Sequence, residues 1–473
     1  MDSIAEGVGR LRDSLGDKVS VPDSAAYAAA MGRVFFPDAA RRRPSCVVEP
    51  ASTRDVSSVM KIAHATGCSV TVRGGGLSSN CAADGAVMID LSTHLHRAVS
   101  HKDTVIVGGG AVMGTMLDAL AQDARTVPIG IVGLAGLGLA TRGGVGYLTR
   151  SLGLTVDQLI SVELVTASGE VLQLSEDSSG AEGDLWWAVR GCAPSFGVVT
   201  SATLRTYPAE PMFVDRMVVA PDALPAYFDI APSLPRHTSM SAVLGSAPDA
   251  PKTPGLLVYA VCASTSAPAI DDARRAVDAV ASSSASPPSF RRQEVGSFPR
   301  GFPEMALPFT GGREPDPIKA PAPGERSGFF FGKSAFLDGS PGADLAAALC
   351  EQLRSAPTAA CRIDFQHTGG ALGDVCDTDT AFWGRRAEWN APINAISADE
   401  GDRDACVRWA RETVEVLRPH TLGVYNVELR PGFPETQREV EAAYGGNLAR
   451  LRELADRYDP TGVFDRYAPL GSP

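Results

Sequence analysis

The sequence lacks any apolar run long enough to cross a membrane. No stretch of its 473 residues approaches the about 20 apolar residues that a spanning helix needs. It also lacks a surplus of positive charge, because 43 Lys and Arg stand against 55 Asp and Glu and leave a net charge of −12. A negative surplus disfavours nucleic acid and anionic membranes as partners. These absences predict a globular protein that binds neither.

Paired cysteines are missing as well. The nine cysteines are odd in number and scattered, and no two of them form a CxxC pair. This pattern predicts reduced thiols rather than a disulfide framework, and it predicts no metal site. The first residues carry acidic side chains and no apolar segment typical of a signal peptide. We therefore expect a cytoplasmic protein, and its length predicts two or more domains.

Glycine, by contrast, is abundant and follows β-branched runs. A strand-like run ends at Arg73, and Gly74, Gly75 and Gly76 come directly after it. Consecutive glycines allow positive φ and bring bare backbone N–H groups close to a ligand. Such a row of donors suits a pyrophosphate. For a lone triple glycine, a surface turn is the alternative.

Three further glycine-rich runs follow, at residues 107–111, 128–146 and 190–197. The run at 128–146 is apolar, with Arg142 as its main charge, whereas a solvated linker would be polar. We expect it to pack against a flat apolar group. Residues 45–73 predict a strand, a helix and a second strand leading into the triple glycine. This β-α-β arrangement favours cofactor binding over a surface turn.

These runs, with segments near the C-terminus, resemble the berberine-bridge-enzyme-like branch of the vanillyl-alcohol-oxidase superfamily over residues 44–464. The first motif of that family reads Arg-Gly-Gly-Gly-His-Ser, where this chain has Leu77 before Ser78. The resemblance implies FAD as the cofactor, a small-molecule substrate and an FAD-dependent oxidase or dehydrogenase. It makes molecular oxygen a candidate electron acceptor and leaves a monomer or a homodimer open.

The resemblance also implies an α+β fold class with three parts. A two-subdomain PCMH-type FAD-binding domain is expected over residues 1–210, a substrate domain over 211–415, and a return to the FAD-binding domain over 416–473. Within residues 212–415, strand-like and helix-like segments alternate, with loops rich in Pro, Ser and Gly between them. This alternation predicts an antiparallel sheet covered by helices on one face.

The cofactor is expected along the glycine runs, with the first turn at its pyrophosphate and the third run along its ribityl chain and ring. The resemblance predicts these FAD-contacting residues: Arg73, Gly74, Gly75, Gly76, Leu77, Ser78, Ser79, Pro128, Gly130, Gly138, Thr141, Gly143, Gly144, Gly146, Val199 and Asn426.

Covalent attachment of the flavin is not expected. In the resembling family, a His after the triple glycine and a Cys in the third glycine run bond to the ring. Here the first position is Leu77 and the second falls near Ile131. Neither side chain can form the bond, so the sequence predicts FAD held without a covalent link. Cys81 and Cys192 are the alternative anchors.

The catalytic base is the least determined part. The family uses a Tyr from a Tyr-x-Asn-Tyr pattern or a carboxylate, and residues 424–427 read Val-Tyr-Asn-Val here. The family tyrosine that follows Asn is therefore missing, because Val427 stands at its position. Asp379 is the first candidate for the base, and Glu428 and Tyr425 are further candidates. On a strand through these residues, Asn426 and Glu428 would share one face and Tyr425 would point away.

The preferred function is oxidation of a small organic metabolite, as a tailoring step on a bulky, largely apolar natural product. Aromatic residues at 329–331 and Trp383 suit such a substrate. One alternative is a redox-neutral cyclase or lyase that uses the flavin as a scaffold. The other is a non-catalytic protein that binds flavin or product.

Overall fold

The computed structural model describes residues 3–247, 250–296, 328–339, 341–467 and 470. Its N-terminal part contains eight helices: α1 (Ser3–Leu15), α2 (Ala25–Gly32), α3 (Pro37–Ala40), α4 (Thr53–Thr66), α5 (Met113–Ala121), α6 (Leu137–Ala140), α7 (Thr149–Leu152) and α8 (Gly180–Cys192). Its strands are β1 (Val19–Ser20), β2 (Cys46–Val48), β3 (Val70–Arg73), β4 (Val87–Asp90), β5 (Ala98–His101), β6 (Thr104–Gly108), β7 (Arg125–Thr126), β8 (Leu159–Val165), β9 (Val171–Ser175), β10 (Val198–Arg205) and β11 (Tyr207–Pro208).

The β-α-β unit expected before the triple glycine is present. The hydroxyl of Ser52 accepts a hydrogen bond from the backbone N–H of Asp55 and caps the start of α4. Gly67, at φ +66°, ends the helix in the left-handed conformation. The strands β2 and β3 both pair in parallel with β4, and β1 adds to β2 in antiparallel orientation. The resulting four-stranded sheet delivers β3 directly into the glycine turn.

A second sheet, of five antiparallel strands, has the order β5-β6-β10-β8-β9. A hairpin after Thr166 joins β8 to β9 in antiparallel register. The short strands β7 and β11 pair separately. The apolar side chains between this sheet and α5, α6 and α8 form one core, which extends to the third glycine run.

The middle of the chain builds a larger antiparallel sheet. Its strands are β12 (Met212–Val219), β13 (Thr238–Ala247), β14 (Ala250–Cys262), β15 (Phe290–Gly296), β16 (Phe329–Leu337), β17 (Arg362–His367) and β18 (Trp389–Ser397). Its helices are α9 (Leu224–Ile230), α10 (Ala267–Ser283), α11 (Gly342–Arg354) and α12 (Arg403–Leu417). The helices share one apolar core with the sheet. The predicted α+β architecture is confirmed. Most of the loop predicted between β15 and β16 lies outside the described residues.

The last part of the chain contributes to both regions. Strand β19 (Thr421–Gly423) pairs with β16 and completes the sheet order β15-β12-β14-β13-β17-β18-β16-β19. It is followed by helices α13 (Thr436–Tyr444) and α14 (Leu448–Tyr458), the latter packed near α8. Further on, the hydroxyl of Tyr467 bonds to both backbone groups of Val72 in β3. The domain boundaries after residues 210 and 415 stay a proposal.

One local prediction was wrong. The strand expected over residues 423–428 ends at Gly423, and Asn426–Glu428 form a 3-10 turn. The backbone N–H of Tyr425 bonds to Ser334 Oγ at 3.0 Å, and the N–H of Glu428 bonds to the carbonyl of Tyr425 at 3.1 Å. The first bond holds Tyr425 against β16, and the second closes the 3-10 turn that replaces the strand. No helix within the described ranges is long and apolar enough to cross a membrane.

Candidate functional site

The triple glycine forms a tight turn against the other glycine runs. A Cβ added at Gly75 would come within 2.5 Å of the carbonyl of Leu134, and one at Gly74 within 2.9 Å of the carbonyl of Gly109. Gly76 has φ +77°, a conformation that side chains disfavour. The second and third glycine runs therefore approach this turn so closely that only hydrogen fits at positions 74 and 75.

The serines after the turn offer free donors. Ser79 is partly buried, and its hydroxyl oxygen has no hydrogen-bond partner in the part of the chain that the structure describes. Ser78 Oγ accepts a bond from the backbone N–H of Asn80 at 3.1 Å and keeps its own proton for another acceptor. A buried hydroxyl without a partner costs free energy unless a ligand satisfies it. The turn thus has the donors that a pyrophosphate needs.

A buried network of ion pairs supports this turn. Arg73 Nη1 lies 2.8 Å from Asp90 Oδ1, and Arg33 Nη2 lies 2.8 Å from Asp90 Oδ2. Arg73 Nη2 also donates to the carbonyl of Arg33 at 3.0 Å. Burial opposes ionisation of Asp90, but the two arginines outweigh it and lower its pKa. Arg73 therefore supports the turn rather than facing the ligand.

A cavity of about 310 Å³ lies between the glycine runs and the large sheet. Its first wall comes from the N-terminal part: Phe36, Val72, Gly74, Gly75, Gly76, Leu77, Ser78, Ser79, Asn80, Cys81, Leu91, Gly109, Ile131, Val132, Ala135, Gly136, Leu137, Gly138, Leu139, Thr141, Arg142, Ala193, Pro194, Gly197, Val198 and Val199. Its second wall comes from the sheet and the C-terminal part: Phe330, Arg362, Asp364, Gln366, Pro392, Asn394, Val427, Glu428, Leu429, Arg430 and Tyr467.

The alternation of side chains along the strands makes this second wall polar. Successive residues of a strand point to opposite faces. In β17, Ile363 and Phe365 enter the core beneath the helices, whereas Arg362, Asp364 and Gln366 line the cavity. The neighbouring strands β16 and β18 follow the same rule. The sheet therefore presents charged and amide side chains to the space above the glycine runs.

Glu428 belongs to the second wall of the cavity. Its Oε2 lies directly against Gly332 of β16, where there is no side chain to displace it. Among the described residues, none donates a hydrogen bond to its carboxylate, although it is only partly exposed. Burial raises the pKa of Glu428, and the charges of Arg430, Arg142 and Lys333 offset this only in part. A carboxylate with a raised pKa and no partner is a strong candidate for proton transfer.

Asp364 is the second carboxylate of the cavity. Arg362 Nε lies 3.2 Å from its Oδ1, and Asn394 Nδ2 donates to its Oδ2 at 3.2 Å. Burial raises the pKa of Asp364 as well, against the opposing effects of these two partners. Unlike Glu428, Asp364 is thus held in place by its neighbours.

Arg142 gives the first wall its main positive charge. Its Nε donates to the carbonyl of Gly138 at 3.0 Å, which holds the side chain along the third glycine run. The guanidinium lines the same cavity as Glu428. A fixed positive charge beside a flavin is one of the means by which a protein tunes the electron affinity of that cofactor.

The structure brings nine of the predicted cofactor-binding residues to the cavity. They are Gly74, Gly75, Gly76, Leu77, Ser78, Ser79, Gly138, Thr141 and Val199. The remaining seven lie behind it: Arg73, Pro128, Gly130, Gly143, Gly144, Gly146 and Asn426. Four of these, Gly130, Gly143, Gly144 and Gly146, meet neighbouring atoms so closely that a Cβ would collide. They allow close packing and do not line the site.

Two predicted residues serve the scaffold instead of the cavity. Tyr425 is buried, and its hydroxyl oxygen accepts hydrogen bonds from the backbone N–H groups of Gly144 at 2.7 Å and Val145 at 3.4 Å. Burial raises the pKa of Tyr425 to about 12. Asn426 Nδ2 donates to the carbonyl of Gly191 at 2.7 Å. Neither side chain lines the cavity, and both contact the glycine runs instead.

Asp379 lies outside the cavity lining. It is exposed on a turn, where its Oδ2 accepts a bond from the backbone N–H of Cys376 at 3.1 Å. Arg190 Nη2 donates to its backbone carbonyl at 3.1 Å. The carboxylate is occupied in closing this turn, so of the three candidates for the base Glu428 is the one that lines the cavity.

The positions of the family's covalent anchors both line the cavity. Leu77 and Ile131 contribute apolar side chains there. Of the alternative anchors, Cys81 also lines the cavity, and burial raises the pKa of its thiol to about 12. Cys192 lies elsewhere, with its sulfur 3.1 Å from the hydroxyl of Tyr444. A thiol with so high a pKa stays protonated and is a poor nucleophile.

Sequence reasoning missed the polar wall. Arg362, Asp364 and Gln366 were not singled out, nor were Asn394 and Arg430. The signal was present in the alternation of residues 362–366, where polar and apolar side chains take turns. What the pattern could not tell is which ligand the polar face meets, because that depends on how the sheet sits over the glycine runs.

Comparisons with known proteins agree with this geometry. Residues 44–175 match the family model described as FAD binding domain, and residues 431–468 match the model described as berberine and berberine like. An FAD-linked oxidoreductase of Dictyostelium discoideum is 23% identical over 431 residues, which cover 89% of this chain and 87% of the relative. The (R)-6-hydroxynicotine oxidase of Paenarthrobacter nicotinovorans is 36% identical over 173 residues, about a third of each chain.

Solved structures share the fold over almost the whole chain. The wild-type BBE-like 1 protein of Physcomitrella patens has a TM-score of 0.82 at 21% identity and covers 98% of this chain and 100% of its own. The 6-hydroxy-D-nicotine oxidase of Arthrobacter nicotinovorans has a TM-score of 0.77 at 22% identity and covers 96% and 97%. With the glycine turn, the hydroxyl of Ser79 and the first family model in agreement, FAD is the cofactor of this protein.

Proposed function

Since this chain belongs to the berberine-bridge-enzyme-like FAD-linked oxidoreductases, we propose that it oxidises a small organic substrate, with Glu428 accepting the proton and FAD bound without a covalent link. The observation that carries the proposal is the carboxylate of Glu428. It lines the cavity shared by the glycine runs and the polar sheet face, and none of the described residues hydrogen-bonds it.

Bound FAD supplies the acceptor for the hydride. Glu428 takes the proton that the substrate hydroxyl or amine loses as its neighbouring carbon gives up that hydride. The substrate thus loses two electrons and two hydrogens. Because burial raises the pKa of Glu428, its carboxylate is a stronger base than an exposed glutamate would be. Gly332 leaves the room in which this carboxylate lies.

The residues of the first wall would hold the cofactor. Gly74, Gly75 and Gly76 supply backbone donors, and the free hydroxyl of Ser79 adds one more. Leu77 and Ile131 supply no nucleophile, and the protonated thiol of Cys81 is a poor one. These observations support a flavin held by hydrogen bonds and packing alone.

The second wall suggests a substrate with hydrogen-bonding groups and one apolar end. Phe36 and Phe330 stack at 4.2 Å with their rings 7° apart and line the apolar part of the cavity. Phe329 and Phe331 belong to the core beneath the helices, so they do not support the largely apolar substrate that the sequence suggested. Arg362, Gln366 and Asn394 offer polar contacts in their place. A role on natural products stays a prediction.

Anaerobic mixing with candidate substrates tests this function. Oxidation bleaches the visible absorption band of the flavin, whereas a redox-neutral cyclase or a binding protein leaves the band in place. Glu428→Gln should slow bleaching by about 10²- to 10⁴-fold, the usual contribution of a general base, without loss of flavin.

Asp379→Asn is the matched control, since it also converts a carboxylate to an amide but lies outside the cavity. It should bleach at the wild-type rate. A large loss in Asp379→Asn with none in Glu428→Gln would move the base to the turn at Asp379 and overturn the proposal.

A further inference from the structure

A row of residues across three strands connects the two cavity carboxylates. Gly332 of β16 lies opposite Asn394 of β18, and Asn394 lies opposite Arg362 of β17. Glu428 rests on Gly332, at one end of this row. Asp364 lies two residues along from Arg362, on the same face, and accepts a hydrogen bond from Asn394.

We infer that Asp364 and Glu428 act as one unit, in which the fixed negative charge of Asp364 strengthens Glu428 as the proton acceptor. Asp364 is a positioning residue in this unit, because it acts through Glu428 and not on the substrate itself. The inference rests on the proposed function, and it assigns a role to a carboxylate that the hydride transfer does not otherwise use.

The partners of the two carboxylates explain why their roles differ. Asp364 has a guanidinium at 3.2 Å and an amide donor at 3.2 Å, which stabilise its charged form and offset part of the cost of burial. Glu428 has no hydrogen-bond donor among the described residues. Of two neighbouring carboxylates, the better-solvated one ionises first, and its charge then makes the second harder to ionise. Glu428 is therefore the member that holds and releases the proton.

The charged groups around Glu428 come from four segments. Arg430 follows it in its own segment, Arg142 faces it from the third glycine run, and Lys333 belongs to β16. These three cations lower the pKa of Glu428, whereas burial and Asp364 raise it. Lys333 is itself engaged by Glu439 at 2.8 Å, which weakens its effect on the cavity. Asp364 is the carboxylate whose charge raises the pKa of Glu428, as burial does.

The pH dependence of anaerobic bleaching tests the unit. The rate should rise with pH as Glu428 ionises, and Asp364→Asn should move this rise to lower pH, because a like charge is removed. Arg362→Gln should move it to higher pH, since Asp364 then loses its counter-charge. A residue that only supports the fold would not produce opposite shifts in these two variants.

A double-mutant cycle on unfolding by urea gives a second readout that does not need turnover. At neutral pH with FAD in excess, Glu428→Gln should stabilise the wild-type background more than the Asp364→Asn background, because the repulsion exists only in the former. If the two effects are equal and the pH profile of Asp364→Asn does not move, the unit does not exist. That outcome leaves the proposed function intact. Fast bleaching in Glu428→Gln, by contrast, would refute the proposed function. The double-mutant cycle would still report whether the two carboxylates interact, because it measures unfolding and not turnover.

Discussion

Gly332 provides the space for the carboxylate of Glu428. A Cβ added at position 332 would collide with Glu428 Oε2 and would come within 2.9 Å of Cζ of Phe330. The backbone of Gly332 is an ordinary part of β16, so the missing side chain is needed for space and not for a turn. The position of the proposed base thus depends on a residue of the large sheet that lies far away in the sequence.

Gly332→Ala should therefore displace Glu428 while leaving the flavin in place. A shift of the base by about 1 Å can cost up to about 10²-fold in rate, so we expect bleaching to slow by tenfold or more. Gly296→Ala is the control, because Gly296 lies in the same sheet and no atom of the described residues is within 4 Å of its added Cβ. Equal rates in both variants would show that Glu428 is not held by this contact.

Removing the charge of Glu428 should change stability in a pH-dependent way. Because its folded pKa is raised, the folded state keeps a proton that the unfolded state releases, and stability falls as pH rises through the folded pKa. Glu428→Gln should thus be more stable than the wild type above that pKa and equal to it below about pH 4, near the unfolded value. Urea unfolding across pH measures this, with the exposed Glu453→Gln as control. A variant less stable at neutral pH would contradict it.

The flavin should leave the protein on denaturation. Leu77 and Ile131 occupy the positions of the family's anchors, and the pKa of the Cys81 thiol is raised to about 12 by burial. Acid precipitation should therefore move all the flavin into the supernatant, as its absorption spectrum would show. Flavin fluorescence on the denatured chain in a gel would contradict this, and its loss in Cys81→Ser would identify the anchor.

The glycine turn should not tolerate even a methyl group. Gly75→Ala places a Cβ 2.5 Å from the carbonyl of Leu134, which is backbone and cannot rotate away. We expect a reduced flavin content and the loss of the stability that FAD binding contributes. Gly9→Ala, on α1 with nothing within 4 Å, is the same change in open space. If both variants bind FAD with equal affinity, the turn does not shape the cofactor site.

Tyr425 should prove structural. Tyr425→Phe leaves the buried N–H of Gly144 without its acceptor at 2.7 Å, a loss of about 1–3 kcal/mol in the free energy of unfolding. Bleaching by substrate should slow by less than tenfold, because the hydroxyl does not line the cavity. A loss of 10²-fold or more at unchanged stability would restore Tyr425 as a catalytic residue.

Local patterns in the sequence determined much of the fold. The pattern of residues 45–73 and the glycines after Arg73 predicted α4 between its two strands and the turn that follows β3. These features depend on neighbours within a few residues, such as a hydroxyl that caps a helix or a φ that only glycine favours. The alternation of strand-like and helix-like segments within residues 212–415, which predicted the large antiparallel sheet, also depends on local patterns.

The composition of the site was decided by the tertiary structure. Asp379 was the first candidate for the base in the sequence and Glu428 a further one, but the fold closes a turn with Asp379 and places Glu428 against Gly332. Asp364 joined the site only because β17 lies beside β18 over the glycine runs. Desolvation and charge act through space between residues far apart in the chain, so the proton affinity of a carboxylate cannot be read from its neighbours in sequence.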